Sequence, residues 1–361
     1  MSVLYLLTTI FTVLSILVMC VVDGRKTVRI SHRSTLTARK YTTLEWFVIL
    51  FCQGMGAGLI ASAPTDIGRW ISSSYITPIL LWTLLAWSFY AMYGIWYMKH
   101  KEHKLTKWLN LLSYISGISV SLSITANYIS NYLKLSPIFT TVIIITFVIL
   151  LAFLSVLKEL YVKYSIINMI LFGCAMLLLL VSQKSIPSNF RLYENFFADI
   201  SSASSIGTIA WWISWAPICG SLLADISEGI SIRRYFVGSI FLPSLLTIFW
   251  MLLCTFAPRF GIPNYNAFGI FTFVLMSITL VMFMTTTIDT SSIVVLNDLL
   301  ETYNKKHIAV LLAGLFATAL IFAVSKFAFA LNEIAAVPLA IFIAFIVFSY
   351  FRRDRKREFL F

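Results

Sequence analysis

The run Gln53-Gly54-Met55-Gly56-Ala57-Gly58-Leu59 stands in the middle of an apolar stretch, residues 44–62, long enough to cross a bilayer as a helix. Glycine in a helix interior costs about 1 kcal/mol, and three of them at alternate positions free backbone carbonyls to point elsewhere. Such backbone is tolerated at membrane depth only where it is buried in protein or lines a cavity. A second stretch, 204–224, carries Trp211-Trp212-Ile213-Ser214-Trp215-Ala216-Pro217, with Gly220 following. Close packing through small residues plus a proline kink would account for either run taken alone. Their positions add a constraint. Each interrupted stretch opens a block of five apolar stretches, 44–182 and 204–351, as two halves of inverted topology require, and interrupted first helices are where the binding site of such a protein is expected.

Around these runs the chain is apolar almost throughout. Its 361 residues are 60% hydrophobic and 12% charged, with a mean hydropathy of +0.90, against about 45–50% and about 25% in soluble domains. That balance excludes the soluble classes. An aromatic content of 16% would suit a β-barrel, but the apolar runs are continuous and do not alternate. They fall at about 3–22, 44–62, 76–98, 108–131, 137–157, 165–182, 204–224, 236–257, 268–297, 308–328 and 335–351. The expected fold is an all-α polytopic membrane protein with about eleven transmembrane helices. Its parts are an extra N-terminal helix and basic loop (1–43), a first five-helix repeat (44–182), a short extracellular connection (183–203), a second, inverted repeat (204–351) and a basic tail (352–361).

The net charge of +12 sorts to one side of the membrane. Placing residues 23–43 in the cytoplasm puts about 21 of the 27 Lys and Arg residues there, among them Arg25, Arg39, Lys101, Lys158, Arg233, Lys305 and Arg352. The positive charge is topological, which excludes a nucleic-acid surface, and Met1 is expected outside with Phe361 inside. The first stretch has no preceding Lys or Arg and no small-residue cleavage site, so it reads as a retained helix. The five cysteines lie widely separated in apolar stretches and the four histidines in loops, so no disulfide framework, zinc site or intramembrane imidazole is indicated. No nucleotide-binding motif is present.

The residues themselves resemble a known family. Trp46-Phe47 followed by the glycine run looks like the corresponding stretch of the betaine/choline/carnitine transporters, and Trp211–Pro217 is nearly that family's most specific signature. Similarity continues through Ile232-Arg233 and Leu242-Pro243-Ser244 to Thr286-Thr287-Ile288-Asp289-Thr290, covering about residues 44–350. The resemblance implies a LeuT-type inverted-repeat (5+5) fold, secondary transport of trimethylammonium compounds in the cell membrane, no enzymatic activity, and in many members a homotrimer. It also implies substrate contacts at Trp82, Trp87, Tyr90, Trp211, Trp212 and Trp215 and along Gly54, Met55, Gly56 and Gly58. A sodium ion would be held by the hydroxyls of Thr286 and Thr287 and the carbonyls of Met55 and Phe283.

The chemistry agrees with those residue types. A quaternary ammonium has no N–H to donate and an intramembrane carboxylate is costly, so aromatic faces must hold it by cation–π attraction. Trp87 and Tyr90, three apart, share a helix face, whereas Trp82 lies well round from them; an interfacial aromatic belt is the competing account. Sodium needs about five or six oxygens, obtainable from carbonyls at a helix break and hydroxyls on a facing helix, although threonines in membrane helices commonly bond back to their own helix. A further sodium site proposed for the family is eroded by Val120. The chain departs from the family in its short extracellular connection, in Gly207-Thr208-Ile209 upstream of Trp211, and in Asp225-Ile226-Ser227-Glu228-Gly229-Ile230 where a basic loop is usual. Readings other than sodium-coupled import are therefore a sodium-independent exchanger, a carrier of another zwitterion, or a transport-dead sensor or assembly subunit. Asp66 and Asp289 are the acidic candidates near the breaks, and neither has a His or Cys partner for catalysis; Asp289 is expected to order the helix around the threonines rather than to handle protons. The basic tail is expected to act as a positive-inside anchor rather than as a lipid-binding element.

Overall fold

Unbroken apolar sequence with helix-compatible ends produces helices and no strands among the described residues. The structure is a computed structural model that describes residues 28, 39–70, 84, 86–134, 137–182, 214–256, 267–300 and 303–324, with the backbone alone at 57–59, 61–70, 127, 131, 137, 182, 251–252, 254–256, 267–269 and 322–324. The helices are α1 (Thr43–Trp70), α2 (Ala86–His100), α3 (Lys104–Leu133), α4 (Pro137–Lys158), α5 (Tyr161–Ser182), α6 (Ala216–Ile226), α7 (Ile232–Phe236), α8 (Leu242–Phe256), α9 (Ala267–Leu299) and α10 (Lys305–Val324). One π-helical segment, Val237–Phe241, runs between α7 and α8. Five of the described helices are long and apolar enough to span a membrane. The chain is an all-α polytopic membrane protein. Apolar stretches 3–22 and 335–351 lie outside the described residues, so the count of eleven rests on the sequence.

Helix ends reach beyond the apolar cores read from the sequence because polar caps carry them further. At α1, Thr42 and Glu45 form a reciprocal capping box: the Thr42 amide donates to Glu45 Oε2 at 2.9 Å and the Glu45 amide to Thr42 Oγ1 at 3.2 Å. Arg39 pairs with the same carboxylate at 3.1 Å. His103 caps α3, so that helix begins at Lys104, before the stretch expected at 108. α1 continues to Trp70 and carries Asp66 and Arg69 within the helix.

Burial divides the helices. Beyond its exposed first turn α1 has mostly buried side chains where these are described, as have α2 and α6, whereas α4, α5, α8 and α10 expose large apolar side chains such as Phe139, Phe147, Ile170, Leu177, Leu245 and Val310. An apolar surface of that extent suits lipid. α2 crosses α6 with little backbone separation. A Cβ at Gly220 would lie 2.6 Å from the Tyr90 carbonyl oxygen, and one at Gly94 would lie 2.8 Å from the Gly220 carbonyl oxygen.

The packing partners exchange in pairs. α9 packs on α4 as α3 packs on α10; α9 packs on α1 as α3 packs on α6; α1 packs on α8 as α6 packs on α2. The loops assigned to one side by their basic residues also meet at one end. Val28 and Gly229–Ile230 exchange backbone hydrogen bonds of 2.8 and 3.0 Å, the Tyr41 and Tyr161 hydroxyls lie 3.0 Å apart, and Lys101 forms a buried ion pair with Asp225 at 3.0 Å.

The α2–α6 crossing yields a prediction. Gly220→Ala must push apart backbone that has no room to move and should cost about 1–3 kcal/mol, read as a lower unfolding temperature in detergent. Gly314→Ala, where a Cβ would meet nothing within 4 Å, should leave that temperature unchanged or slightly raised.

Candidate functional site

Gly56 breaks α1. Its φ of 60° and ψ of 161° lie in a region essentially reserved for glycine, so the chain changes direction between Met55 and Ala57 while remaining within the bundle. Trp215, the residue before α6, closes over this break: its ring lies 3.8 Å from the position of a Gly56 Cβ and packs on Gly117 of α3. Pro217 stands in the first turn of α6, where a missing N–H costs nothing.

Two residues earlier in α1, Gly54 makes a seat for Trp87 of α2. A Cβ at Gly54 would fall 2.2 Å from Trp87 Cζ3. The indole stacks on Phe51 at 6.1 Å between centroids and 12° between planes, and Tyr90 meets it edge-on at 5.4 Å and 80°. Both rings are fully buried, and Trp87 Nε1 has no hydrogen-bond partner among the described residues. Opposite them, the Cys219 thiol of α6 donates to the Gln53 carbonyl at 3.8 Å, giving a partner to a backbone oxygen next to the break.

The expected ion residues lie on α9, which packs on α1. Thr287 Oγ1 donates to the Phe283 carbonyl at 2.7 Å. Thr286 Oγ1 lies 3.0 Å from the carbonyls of both Met282 and Phe283 and accepts from Asn168 Nδ2 at 3.4 Å. Both hydroxyls thus bond back to their own helix, and their oxygens keep lone pairs. The donor set of two hydroxyls and main-chain carbonyls is of the neutral oxygen type that sodium takes.

The structure therefore brings Trp87, Tyr90 and Gly54 together, sets Trp215 against Gly56, and places Met55 buried between the two contacts. Trp82, Trp211 and Trp212 lie outside the described residues, and at Gly58 only the backbone of α1 is described. Sequence reading missed Gln53 as a site residue. Its amide spans to α9, donating to Ser291 Oγ at 2.5 Å and accepting from Thr290 Oγ1 at 2.5 Å. An amide alone in an apolar run next to the glycines was the available signal. Asn168 gave a similar signal on α5.

No family model matches the chain. Among curated proteins it is similar to the glycine betaine transporter OpuD of Bacillus subtilis, 26% identical over 58% of this chain and 54% of that protein. It is also similar to glycine betaine transporter 1 of Vibrio parahaemolyticus, 24% identical over 58% of this chain and 53% of that protein. A short segment, 12% of this chain and 6% of its relative, is 40% identical to the high-affinity choline transport protein of Escherichia coli. The chain spans about half the length of the curated relatives it matches over most of its residues. These relatives are named as transporters, not enzymes.

The two glycines at the break predict different kinds of damage. Gly54→Ala fails for lack of space, so combining it with Trp87→Leu should restore much of the lost stability in a double-mutant cycle. Gly56→Ala fails through backbone strain of about 1–3 kcal/mol, and no ring removal should relieve it. Equal rescue of both in thermal unfolding would contradict this assignment. Five curated transporters of glycine betaine and related solutes thus match this chain at 23–26% identity over 58–62% of its length, which is consistent with a divergent member of the betaine/choline/carnitine transporter family.

Proposed function

We propose that this chain is a secondary transporter that imports betaine-like quaternary ammonium solutes, driven by sodium. The observation that carries the proposal is the Trp87–Tyr90 pair seated against the broken helix α1, with Trp215 on the other side of the break. A permanent cation without N–H groups requires aromatic faces of this kind, and broken helices are where transporters bind substrate. The names of the relatives support the substrate class. The paired exchange of helix partners supports two inverted five-helix repeats, and the meeting of the basic loops at one end supports a cytoplasmic face there.

In this reading Trp212, Trp82 and Trp211 join Trp87, Tyr90 and Trp215 around the ammonium group, while Gly54, Met55, Gly56 and Gly58 let backbone approach the rest of the solute. Sodium sits between Thr286 and Thr287 of α9 and the carbonyls of Met55 and Phe283. One observation favours exchange without sodium as a second reading: the Phe283 carbonyl, one of the four oxygens of the proposed site, already accepts from both threonine hydroxyls. Uptake of labelled glycine betaine into proteoliposomes separates the two. Accumulation that requires an inward sodium gradient supports the proposal, whereas counterflow that needs only internal solute overturns the sodium part of it.

For the pocket, Trp212→Leu should weaken glycine betaine binding roughly 5- to 30-fold, the equivalent of about 1–2 kcal/mol of cation–π attraction, and Trp212→Phe should lose less. Unchanged affinity in folded Trp212→Leu protein would remove the aromatic cage. For coupling, Thr287→Val keeps the volume and deletes one oxygen, so apparent sodium affinity should fall, and substrate affinity with it, because coupling between two ligands is reciprocal. Thr285, whose hydroxyl bonds back to Val281 at 2.9 Å, is the control; its replacement by Val should matter less in a sodium titration of substrate binding.

A further inference from the structure

Three helices meet at Gln53. α1, α6 and α9 pack on one another pairwise, and Gln53, buried in α1 just before the break at Gly56, bonds to both of the others. Its amide nitrogen donates to Ser291 Oγ of α9 at 2.5 Å, its amide oxygen accepts from Thr290 Oγ1 at 2.5 Å, and its main-chain carbonyl takes the Cys219 thiol of α6 at 3.8 Å. Each of these partners is itself buried.

The contact on α9 is in step with the threonines of the proposed cation site. Thr290 and Ser291 stand four residues after Thr286 and Thr287, so each lies one turn along the same face, about 6 Å further on. On α1, Met55, whose carbonyl the same reading assigns to the cation, is two residues from Gln53. A planar amide bonded through both its oxygen and its nitrogen leaves this part of α1 little freedom to slide or turn on α9.

That bond is not needed to satisfy α9. Thr290 Oγ1 also lies 2.6 Å from the Thr286 carbonyl, and Thr279, Thr285 and Ser292 bond back to the same helix in that way. A hydroxyl has one proton, so Thr290 gives it either to Gln53 or to its own helix, and α1 can shift without stranding a buried donor there. A buried amide in a membrane helix is costly, and what this one supplies is a releasable join between helices.

We infer that Gln53 is a positioning residue that couples the solute site to the cation site, a role that rests on the sodium-driven reading above. It acts through the backbone rather than as a ligand. Its amide sets the register of the α1 break on α9, and with it the placement of the Met55 carbonyl against Thr286 and Thr287, while its own carbonyl ties the same point to α6 behind Trp215. A cation that holds α1 on α9 thereby sets the Gly54 seat of Trp87 and the Trp215 cover of Gly56, and a solute at those rings favours the cation in return.

Binding of labelled glycine betaine to the purified full chain in detergent, titrated with sodium chloride against potassium chloride at constant ionic strength, tests the inference. Coupled sites commonly change one another's affinity by about 5- to 150-fold, and Gln53→Leu should bring the factor by which sodium tightens solute binding down by about fivefold or more. Ser291→Ala should lower that factor in the wild type and change it little further in Gln53→Leu, because the two side chains act through one contact. A folded Gln53→Leu protein that keeps the wild-type factor, or a Ser291→Ala effect that is equal with and without Gln53, would overturn the inference and leave the sodium reading standing. A wild type whose solute affinity is the same in sodium and in potassium would overturn both together. If Gln53→Leu does not fold, Thr290 decides. Thr290→Ser keeps the hydroxyl and should keep the factor, whereas Thr290→Val deletes it and should lower the factor; equal factors in the two would overturn the role of Gln53.

Discussion

A main-chain carbonyl that leaves its helix inside a bilayer must find another partner, because no water is there to supply one. Gly56 creates that requirement in the middle of α1, and much of the surrounding arrangement answers it. The Cys219 thiol takes the Gln53 carbonyl, the Trp215 ring covers the turn, and the Gln53 amide reaches across to Ser291 and Thr290. A helix broken in this way cannot face lipid. It is buried behind α4, α5, α8 and α10, whose large exposed side chains such as Phe147, Leu177, Leu245 and Val310 are apolar.

A second polar layer ties the bundle at the end where the basic loops gather. Lys101 and Asp225 form a buried ion pair, Tyr97 and Asn110 donate to the two oxygens of Asp298 at 2.7 and 2.6 Å, and Asn110 accepts from Tyr93 and Ser221 at 3.1 and 3.0 Å. Such groups add little net stability over an apolar core, but leaving one of them unpaired is costly. They therefore fix register between α2, α3, α6 and α9 at that end. The middle of the bundle is held by rings seated against glycines together with the bonds of Gln53 to Ser291 and Thr290.

The helices were legible because unbroken apolar sequence has few alternatives in lipid, and the break was legible because three alternate glycines have no place in an ordinary span. Trp87 and Tyr90, three apart, share a helix face and their rings meet edge-on. What remained hidden depends on partners far away in the chain. Gln53 meets Thr290 237 residues later, and Ser155 meets Asp289 134 residues later; nothing local distinguishes those side chains from isolated polar residues. Helix ends were misjudged by a few residues at α3, α5 and α10, where Lys, Tyr and His continue the helix past the point at which hydropathy falls.

Back-bonding by Thr286 and Thr287 does not by itself oppose a cation. A hydroxyl that turns its proton to its own helix keeps its lone pairs for other partners, one of which at Thr286 accepts from Asn168 Nδ2. The carbonyl that receives the proton is affected more. Phe283 accepts from both threonines, at 2.7 and 3.0 Å, in addition to its place in the helix ladder, which leaves it the most heavily used of the four oxygens in the proposed sodium site. The burden then shifts to the hydroxyls and to the Met55 carbonyl beside the break. This ties ion binding to the conformation of Gly56: any motion that straightens α1 would withdraw the Met55 carbonyl and weaken the ion and the aromatic cage together.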